Sequence, residues 1–375
     1  MKKLITKNRN ILLMRYFVLI AGIIISATLL PGCKKDNPHP SQEITVHNGS
    51  SIQAAVDAAQ PGTVIKIEAG IYQEAVTVNK NNITLVGLNG MKQEGVTIQN
   101  PGEEENGITV TANGDGFVLK NVTVKGFEEN GVFLEGVDGF LLSHVTTISN
   151  GEYGLFPVHS TNGVIEECTA TGHTDTGIYV GQSTNVAVNK NEAFANVNGI
   201  EIENCSNIIA DKNHSYDNVC GMLVILLPGL QVKASSNILL SKNQVENNNH
   251  KNFAEEEGGF ESVVPSGCGI LIVGTDKTIA EDNKVTGNHF TGIAVVSTVI
   301  LGSLAGLPPE AFADIEPNPD GTRIISNTVT NNGSVPPPGL PLPAVDLLWD
   351  GSGSDNCWSK NIYGTSYPAA LPSCN

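Results

Sequence analysis

The sequence predicts an all-β fold, a single-stranded right-handed parallel β-helix of about 11 coils at roughly 22 residues per coil. A short N-terminal helix is expected to cap it. Two observations predict this fold. A Gly followed by alternating apolar residues recurs every 22 to 24 residues, and Asn recurs at two fixed offsets from that Gly. Gly accounts for 40 of the 375 residues and charged residues for only 16%, as expected of a chain that uses many positions for turns.

The first 32 residues have the pattern of an export signal. They contain five basic residues, no acidic residue and an apolar run over 16–30, which is typical of a secretory signal. The run ends in Leu-Pro-Gly-Cys, which resembles the lipobox of bacterial lipoproteins. The resemblance implies a lipid-anchored N-terminus at Cys33 and a location in the bacterial cell envelope, periplasmic or at the cell surface. An uncleaved membrane anchor is the alternative.

The charge of the chain argues against a nucleic acid as partner. The chain has 21 basic and 38 acidic residues, and without residues 1–32 the basic count falls to 16, a net charge of −22. Binding to a phosphate backbone requires a basic surface. Residues 33–42 are polar and contain two prolines, so they are expected to be a tether. Residues 43–375 then form the β-helix domain.

The folded domain is expected to begin with the capping helix, at 50–60. Ile52 and Val56 fall on one helical face, Ser50 or Ser51 can cap the N-terminus, and the Pro-Gly pair that follows ends the helix. A helix here would cover the first coil, whose open strand edge would otherwise be exposed.

Each coil is expected to contain three short strands and three turns. The alternation of apolar residues predicts strands, and Gly and Asn at fixed offsets predict turns because both tolerate positive φ. Coils stack about 4.8 Å apart, so Asn side chains of successive coils can form hydrogen-bonded ladders. The repeat glycines are Gly107, Gly131, Gly154, Gly177, Gly199, Gly221, Gly269 and Gly292; the first column is Asn121, His144, Cys168, Asn191, Asn213, Asn243, Asn283, Asn327 and Asn361; the second is Asn196, Asn218, Asn248, Asn288 and Asn332.

Four insertions interrupt the repeat in its C-terminal half, at 226–236, 249–266, 298–322 and 333–343. Binding and catalytic residues concentrate on long loops that a rigid scaffold positions. Function is therefore expected in this half of the domain.

Two stretches of the chain resemble known families. Residues 52–76, IQAAVDAAQPGTVIKIEAGIYQEAV, resemble the N-terminal cap of pectate-lyase-like β-helix proteins. Residues 154–297, with GLFPV, DTGIYVGQS, NGIEIEN and NFAEEEG, resemble exported parallel β-helix repeat proteins. That family commonly carries lipoprotein signals and is often encoded beside a dihaem c-type cytochrome. The resemblance implies the fold, export and a c-type cytochrome as partner, and it implies no reaction.

The strand after each repeat Gly is expected to present two outward columns of side chains. The apolar residue next to the Gly points inward, and alternate residues of a strand share a face. The columns place aromatic rings beside carboxylates, which suits a neutral glycan or a protein partner. The expected binding face consists of Phe133, Glu135, Phe156, Tyr179, Gln182, Glu201 and Glu203. The alternative is that the insertions cover this face as a second core.

Glu201 and Glu203 are the candidate catalytic carboxylates, with Asp175 as the third. Two residues apart on one strand, the glutamates project to the same side about 7 Å apart. That distance lies between the separations of retaining and inverting glycosidases. Asp175 would complete a set of ligands for a hard cation such as Ca²⁺, and no other cofactor is expected.

The sequence pattern of one known enzyme family is only partly present. The stretch YGLFPVH resembles the catalytic stretch of alginate epimerases, but Phe156 stands where that family has its catalytic Asp, and His159 is shifted by one position. No epimerase activity is therefore expected.

After signal cleavage Arg323 is the only Arg, whereas enzymes that act on polyuronates hold substrate carboxylates with Arg or Lys. Lys190 or Lys212 would be the only base available to a lyase.

The cysteines of the domain lie in an oxidising compartment, where disulfides persist. Two of them directly precede repeat glycines on successive coils, where Cα atoms about 5 Å apart are within disulfide reach, and another two flank the C-terminal tail. The expected disulfides are Cys220–Cys268 and Cys357–Cys374, and the expected buried thiols are Cys168 and Cys205. The sequence contains no haem-attachment motif.

The sequence thus predicts a lipid-anchored extracytoplasmic β-helix protein that binds a protein partner, with a c-type cytochrome as candidate, or a neutral glycan. The alternative is a polysaccharide lyase or glycoside hydrolase that uses surface carboxylates, with or without Ca²⁺. A purely structural envelope protein is the third hypothesis.

Overall fold

The computed structural model describes residues 42–89, 95–255, 259–337, 339–340 and 342–374. The predicted export signal, Cys33 and most of the tether lie outside the described residues. Three long parallel sheets, here called A, B and C, extend through the domain. Among the described residues, no helix is both long and apolar enough to cross a membrane.

The chain passes through the three sheets in turn, and each strand pairs in parallel with its equivalent in the coils before and after. This is the coil geometry that the repeat predicts. Sheet A contains β1 (Glu43–Val46), β2 (Val64–Ile67), β5 (Thr84–Gly87), β8 (Phe117–Lys120), β11 (Asp138–Ser143), β14 (Thr161–Glu166), β17 (Thr184–Asn189), β20 (Ser206–Asp211), β23 (Ser236–Ser241), β26 (Ile279–Glu281), β29 (Arg323–Ile325) and β32 (Cys357–Ser359). Sheet B contains β3 (Gly70–Gln73), β6 (Val96–Gln99), β9 (Val122–Lys125), β12 (Thr146–Ile148), β15 (Thr169–Thr171), β18 (Glu192–Phe194), β21 (His214–Tyr216), β24 (Gln244–Glu246), β27 (Lys284–Thr286), β30 (Thr328–Thr330) and β33 (Ile362–Tyr363). Sheet C contains β4 (Val76–Val78), β7 (Asn106–Val110), β10 (Asn130–Glu135), β13 (Tyr153–Val158), β16 (Thr176–Gly181), β19 (Asn198–Glu203), β22 (Cys220–Ile225), β25 (Cys268–Val273), β28 (Thr291–Val296), β31 (Val345–Trp349) and β34 (Ser366–Tyr367).

The predicted capping helix is confirmed as α1, Ile52–Ala58. Its N-cap is Ser51, whose Oγ accepts a hydrogen bond from the backbone N–H of Ala54 at 3.1 Å. Ile52 and Val56 are buried in the interior core that runs through the coils. Within the described residues, the other helices are α2 (Thr298–Leu304) and two 3-10 helices, Glu261–Val263 and Pro309–Phe312.

Two asparagine ladders join successive coils, as predicted. The backbone N–H and the Nδ2 of Asn191 both donate to Oδ1 of Asn213, at 2.9 and 3.0 Å. Nδ2 of Asn191 also donates to the carbonyl of Ile165 in the coil before, at 3.0 Å. The side chain of Asn191 thus satisfies buried backbone groups of the coil before it and bonds to the ladder side chain of the coil after it. The first ladder, between sheets A and B, runs through Asn191, Asn213, Asn243, Asn283, Asn327 and Asn361, and the second, between sheets B and C, runs through Asn196, Asn218, Asn248, Asn288 and Asn332 to Asp346.

The assignment of Asn121 and His144 to the first ladder is wrong. Their φ values are 57° and 55°. They lie one residue before the ladder position, where Lys190 has a φ of 54°. Each of these corners has one left-handed residue followed by the ladder residue. Asn suits both positions, because it tolerates positive φ and its amide can form the ladder bonds, so the sequence alone does not distinguish them. Cys168 does occupy the ladder position, because its N–H donates to Oδ1 of Asn191 at 2.9 Å.

The repeat glycines are required for space and not for positive φ, which corrects the expectation from sequence. Gly199 is outside the left-handed region. A Cβ atom on it would lie 2.6 Å from the carbonyl oxygen of Gly221 and 2.8 Å from Nδ2 of the ladder residue Asn218. A side chain at this position would therefore push the ladder out of place.

Replacing Asn213 with Ala is expected to lower the free energy of unfolding by about 2–3 kcal/mol, because the buried N–H of Asn191 and carbonyl of Val188 lose their partners. Urea unfolding of the two proteins measures the loss. Asn361→Ala, at the half-buried end of the same ladder, is the matched control and should lose less. Equal losses of unfolding free energy at the two positions would contradict the view that burial of the ladder hydrogen bonds determines the loss.

Candidate functional site

The outward columns of sheet C stack in the predicted order. Phe133 pairs with Phe156 between β10 and β13, Tyr179 pairs with Glu201 between β16 and β19, and Glu201 pairs with Leu223 of β22. A single face of the sheet therefore changes from aromatic to acidic to aliphatic along the axis of the coils.

The insertions cover the C-terminal half of this face, as the second-core alternative predicts. All four enter or leave sheet C, so they lie nearest to its outer face. Leu223 and Leu271 pack there in a second apolar cluster with Leu301 of α2. The expectation that the face is exposed is wrong for Tyr179 and Glu201, which are 5% and 6% exposed.

A cavity of about 80 Å³, here called the acidic cavity, lies at the edge of this cover. The structure brings all three candidate catalytic carboxyl groups to its wall. Among the described lining residues there is no Lys, Arg or His. The lining residues are Tyr153, Asp175, Asn198, Glu201, Glu203, Leu223, Ile225, Leu227, Phe260, Glu261, Val264 and Leu301.

Two neighbouring polar side chains contact the carboxyl group of Glu201. Its Oε2 lies 2.6 Å from Oγ1 of Thr176 and 3.1 Å from Nδ2 of Asn198. The same Thr176 oxygen lies 2.9 Å from Oδ1 of Asp175. The hydroxyl of Thr176 carries a single proton, which the two carboxyl oxygens share or compete for, so this hydroxyl links Asp175 to Glu201.

Aromatic side chains form the open side of the site. The hydroxyl of Tyr179 donates to Oε1 of Glu203 at 2.7 Å. The ring of Tyr153 stacks on Phe156 with centroids 4.3 Å apart, and Phe156 lies 5.4 Å from Phe133. The half-exposed rings of this cluster thus lead from the uncovered part of sheet C to the acidic cavity.

Burial shifts the pKa values of the three carboxyl groups upward. Desolvation raises the pKa of Asp175 to about 7, and the nearby carboxylate of Glu261 adds to the effect. Desolvation also raises the pKa of Glu203 to about 7, against the hydrogen bond from Tyr179, which lowers it. Desolvation, with repulsion from the other two carboxylates, raises the pKa of Glu201 well above its usual value. Protonated and ionised carboxyl groups therefore coexist in this cavity near neutral pH.

Sequence reasoning missed several residues of the site. Tyr153, Thr176 and Asn198 all occupy the position directly before a repeat Gly. Their polarity at this position, which Cys220 and Cys268 occupy on later coils, was the available signal. Oδ1 of Asn198 is buried and has no hydrogen-bond partner among the described residues. Glu261 could not be found, because it comes from an insertion whose path the repeat does not specify.

Gln182 and Glu135 lie apart from the acidic cavity. Oε1 of Gln182 accepts hydrogen bonds from the backbone N–H groups of Gln231 and Val232, at 2.8 and 3.2 Å. It fastens the 226–236 insertion, which corrects its assignment to the binding face. Glu135 is exposed at the uncovered end of sheet C.

One of the two predicted disulfides is present. Cys357 and Cys374 are bonded, with Cα atoms 4.8 Å apart. The predicted Cys220–Cys268 bond is absent, because both residues are buried free thiols, although they pair in register. Side chains of in-register residues on adjacent parallel strands leave the sheet in parallel directions, so their Cβ atoms stay about as far apart as the strands themselves. A disulfide requires Cβ atoms about 3.8 Å apart, which this geometry does not provide. Cys168 and Cys205 are buried thiols, as predicted.

Comparisons with known proteins assign the hand of the coil. A family model for the right-handed β-helix region matches residues 106–226. The mannuronan C-5 epimerase AlgE6 A-module of Azotobacter vinelandii superposes with a TM-score of 0.58 at 16% identity, covering 84% of this chain and 94% of its own. The chain is a right-handed parallel β-helix.

Other solved structures share this right-handed β-helix. A point mutant of the periplasmic alginate epimerase AlgG has a TM-score of 0.51 at 15% identity, covering 86% of this chain and 73% of its own. The DFA-IIIase of Arthrobacter chlorophenolicus A6, solved without its lid in complex with GF2, has a TM-score of 0.52 at 12% identity, covering 83% and 89%. Identities this low show the fold alone. A search of curated proteins finds no match to the sequence.

The thermal midpoint of unfolding is expected to fall as the pH rises from about 4 to about 7. In the unfolded chain Asp and Glu titrate near pH 4, whereas in the folded chain the pKa of Asp175 and of Glu203 is about 7. The folded state therefore binds more protons over this window, and its stability decreases as they are lost. The Asp175→Asn, Glu203→Gln double variant should make the fall shallower, with the remaining fall due to Glu201, whose pKa is also raised, while Glu128→Gln, an exposed carboxylate, should keep the wild-type profile. A wild-type midpoint that rises over this window would contradict the assignment.

Proposed function

We propose that this protein is an exported, lipid-anchored β-helix protein that hydrolyses a neutral glycan by acid–base chemistry at the acidic cavity. The observation that carries the proposal is the convergence of Asp175, Glu201 and Glu203 on one cavity on the outer face of sheet C. Cavities that contain titratable groups with shifted pKa values are typical of catalytic sites. Because these carboxyl groups line one cavity, with Asp175 and Glu201 buried, and are not displayed on a flat face, a hydrolase takes precedence over a simple binding module.

A neutral glycan suits the charge of the site. The described lining residues include no cation, so the carboxylates of a polyuronate would meet carboxyl groups without a counter-charge. Lys190 and Lys212 lie at the corner between sheets A and B, paired with Glu167 and Asp211. They are not available as lyase bases at sheet C, which favours hydrolysis over elimination.

The carboxyl groups divide into a proton donor and proton acceptors. Desolvation raises the pKa of Glu201 well above its usual value, which favours the protonated form that can protonate a glycosidic oxygen. Asp175 and Glu203, with pKa values of about 7, are partly ionised and can act as base or nucleophile. Tyr179 orients Glu203 through its hydroxyl.

Entry of a sugar requires the cover to move. A cavity of about 80 Å³ is smaller than the range of about 300–1,000 Å³ that small-molecule sites occupy. Phe260, Glu261 and Val264 form one wall and belong to the 249–266 insertion. Outward movement of residues 260–264 would widen the acidic cavity beside Tyr153 and admit a glycan from the open end of sheet C.

Hydrolysis is expected with neutral glycans and not with polyuronates, measured as release of reducing ends across a panel of both. Glu201→Gln should lower kcat by about 10²–10⁴-fold, because it removes the general acid and keeps the shape of the side chain. Glu128→Gln should keep the wild-type rate. Full activity of Glu201→Gln, or no turnover of any glycan by the wild type, would overturn the proposal, and an unsaturated product that absorbs ultraviolet light would assign a lyase instead.

Ca²⁺ is a further proposal for the same cavity. Asp175, Glu201, Glu203 and the unpartnered Oδ1 of Asn198 are oxygen donors of the kind that Ca²⁺ prefers. A dication would also offset the cost of burying carboxylates. No three acidic, His or Cys side chains of the described residues stand in a metal-ligating arrangement, so binding requires the side chains to move. Equal rates and melting midpoints with Ca²⁺ and with EDTA would dismiss it.

A protein partner is the alternative function, with a c-type cytochrome as the candidate from the family resemblance. The charge of the chain favours it, since 16 basic and 38 acidic residues remain beyond residue 32 and acidic surfaces steer basic partners. Absence of turnover together with saturable binding of a basic c-type cytochrome would assign this function. Absence of both would leave the chain as a structural envelope protein.

The lipid anchor is proposed at Cys33. The basic and apolar leader supports export, and a periplasmic enzyme is among the proteins of the same fold. The native chain is expected in the membrane fraction, and Cys33→Ala should release it, as followed by fractionation and by labelling with a fatty acid. Cys168→Ala, at a buried thiol, is the matched control and should remain bound. A Cys33→Ala protein that stays in the membrane fraction would indicate an uncleaved anchor.

A further inference from the structure

A second cavity, of about 430 Å³, lies among the insertions. Its described walls come from residues 251–252 and 263–266, from His289, from Leu304 at the end of α2, and from residues 335–337 and 340, and it shares Val264 with the acidic cavity. Its volume is within the range of about 300–1,000 Å³ that small-molecule sites occupy. We name it the proline-walled cavity, because Pro265, Pro336 and Pro337 line it.

We propose that the proline-walled cavity binds a small amphipathic anion, with an apolar body and one carboxylate. This ligand is chemically distinct from a glycan and is independent of the hydrolysis proposed for the acidic cavity.

The walls favour an apolar body. Eight of the twelve described lining residues are Val, Leu or Pro, among them Leu304 and Val335. Burial of apolar ligand surface there is favourable at about 25 cal/mol per Å². The proline rings have a fixed φ, so these walls lose little conformational freedom when a ligand binds. A sugar, with a hydroxyl on most of its carbons, would find few partners on such walls.

The charges at this cavity favour an anion. The chain contains 38 acidic residues, yet none of the described lining residues is Asp or Glu. Lys251 and His289 line the cavity and are exposed. Neither forms an ion pair with another described residue. An ammonium and an imidazole beside an apolar chamber can hold a carboxylate at the mouth while its apolar body fills the interior.

The test compares octanoate with 1-octanol, which share an apolar chain and differ in charge. Each is titrated into the full-length protein against the fluorescent apolar anion 1-anilinonaphthalene-8-sulfonate. Octanoate is expected to displace the dye saturably and to bind about tenfold more tightly than octanol, because a charge-assisted hydrogen bond is available only to the carboxylate. Lys251→Gln should remove this preference, whereas Lys242→Gln, an exposed lysine on another face, should retain it.

Two variants show whether binding takes place in this cavity. Leu304→Trp and Val335→Trp each place a larger ring in the chamber without touching Val264, which the acidic cavity also uses. Val335 is 55% exposed, so its replacement tests the site even if the variant at Leu304 is unstable. Loss of octanoate binding in a variant that keeps the wild-type melting midpoint supports the proposal. Undiminished binding in Val335→Trp, equal affinities for octanoate and octanol, or no binding by the wild type would overturn it.

Discussion

The asparagine ladders are the interaction on which the rest of this structure depends. Where the chain turns a corner, the backbone N–H leaves the sheet and has no strand partner, and a buried unpaired N–H is costly. The Asn of the next coil supplies the missing oxygen, and its own amide group continues the chain of bonds with Nδ2–Oδ1 distances of 2.9 to 3.1 Å. A slip of one residue would break every step at once, so the ladders hold the coils from Asn191 to Asn361 in one register.

This register builds the functional face. With coils aligned, residues far apart in sequence become neighbours on the outside of sheet C, as Tyr179 and Glu201 do. The ladders and the apolar core both lie inside the coil, so they place few demands on outward side chains. The outer face can therefore change from stacked rings to carboxyl groups to aliphatic residues within a few coils while the interior stays the same.

The acidic cavity lowers the stability of the fold locally, because it buries carboxyl groups. Three carboxyl groups meet there with no basic side chain among the described lining residues, and burial without a counter-charge raises the pKa of each. The aliphatic residues Leu223 and Leu271 of the following coils show how the same face packs when it serves only as a core. Functional sites commonly keep residues that are less favourable for stability than apolar packing would be. The contrast between buried carboxyl groups and aliphatic packing on one face therefore singles out the coils that carry Asp175, Glu201 and Glu203.

The sequence by itself determined the coil repeat, the capping helix, the places of the insertions and the order of the outward columns, because all of these follow from periodicity along the chain. It also brought Glu201 and Glu203 together, since they lie two residues apart on one strand. Only the tertiary structure decided that Glu201 and Tyr179 are covered, that Gln182 fastens a loop, and that Cys220 remains a thiol. The path of an insertion depends on long-range contacts, such as those of Leu301 with the outer face of sheet C, and no local pattern records such contacts. Burial, and with it the pKa values and chemistry of the acidic cavity, was therefore set by packing and not by the repeat.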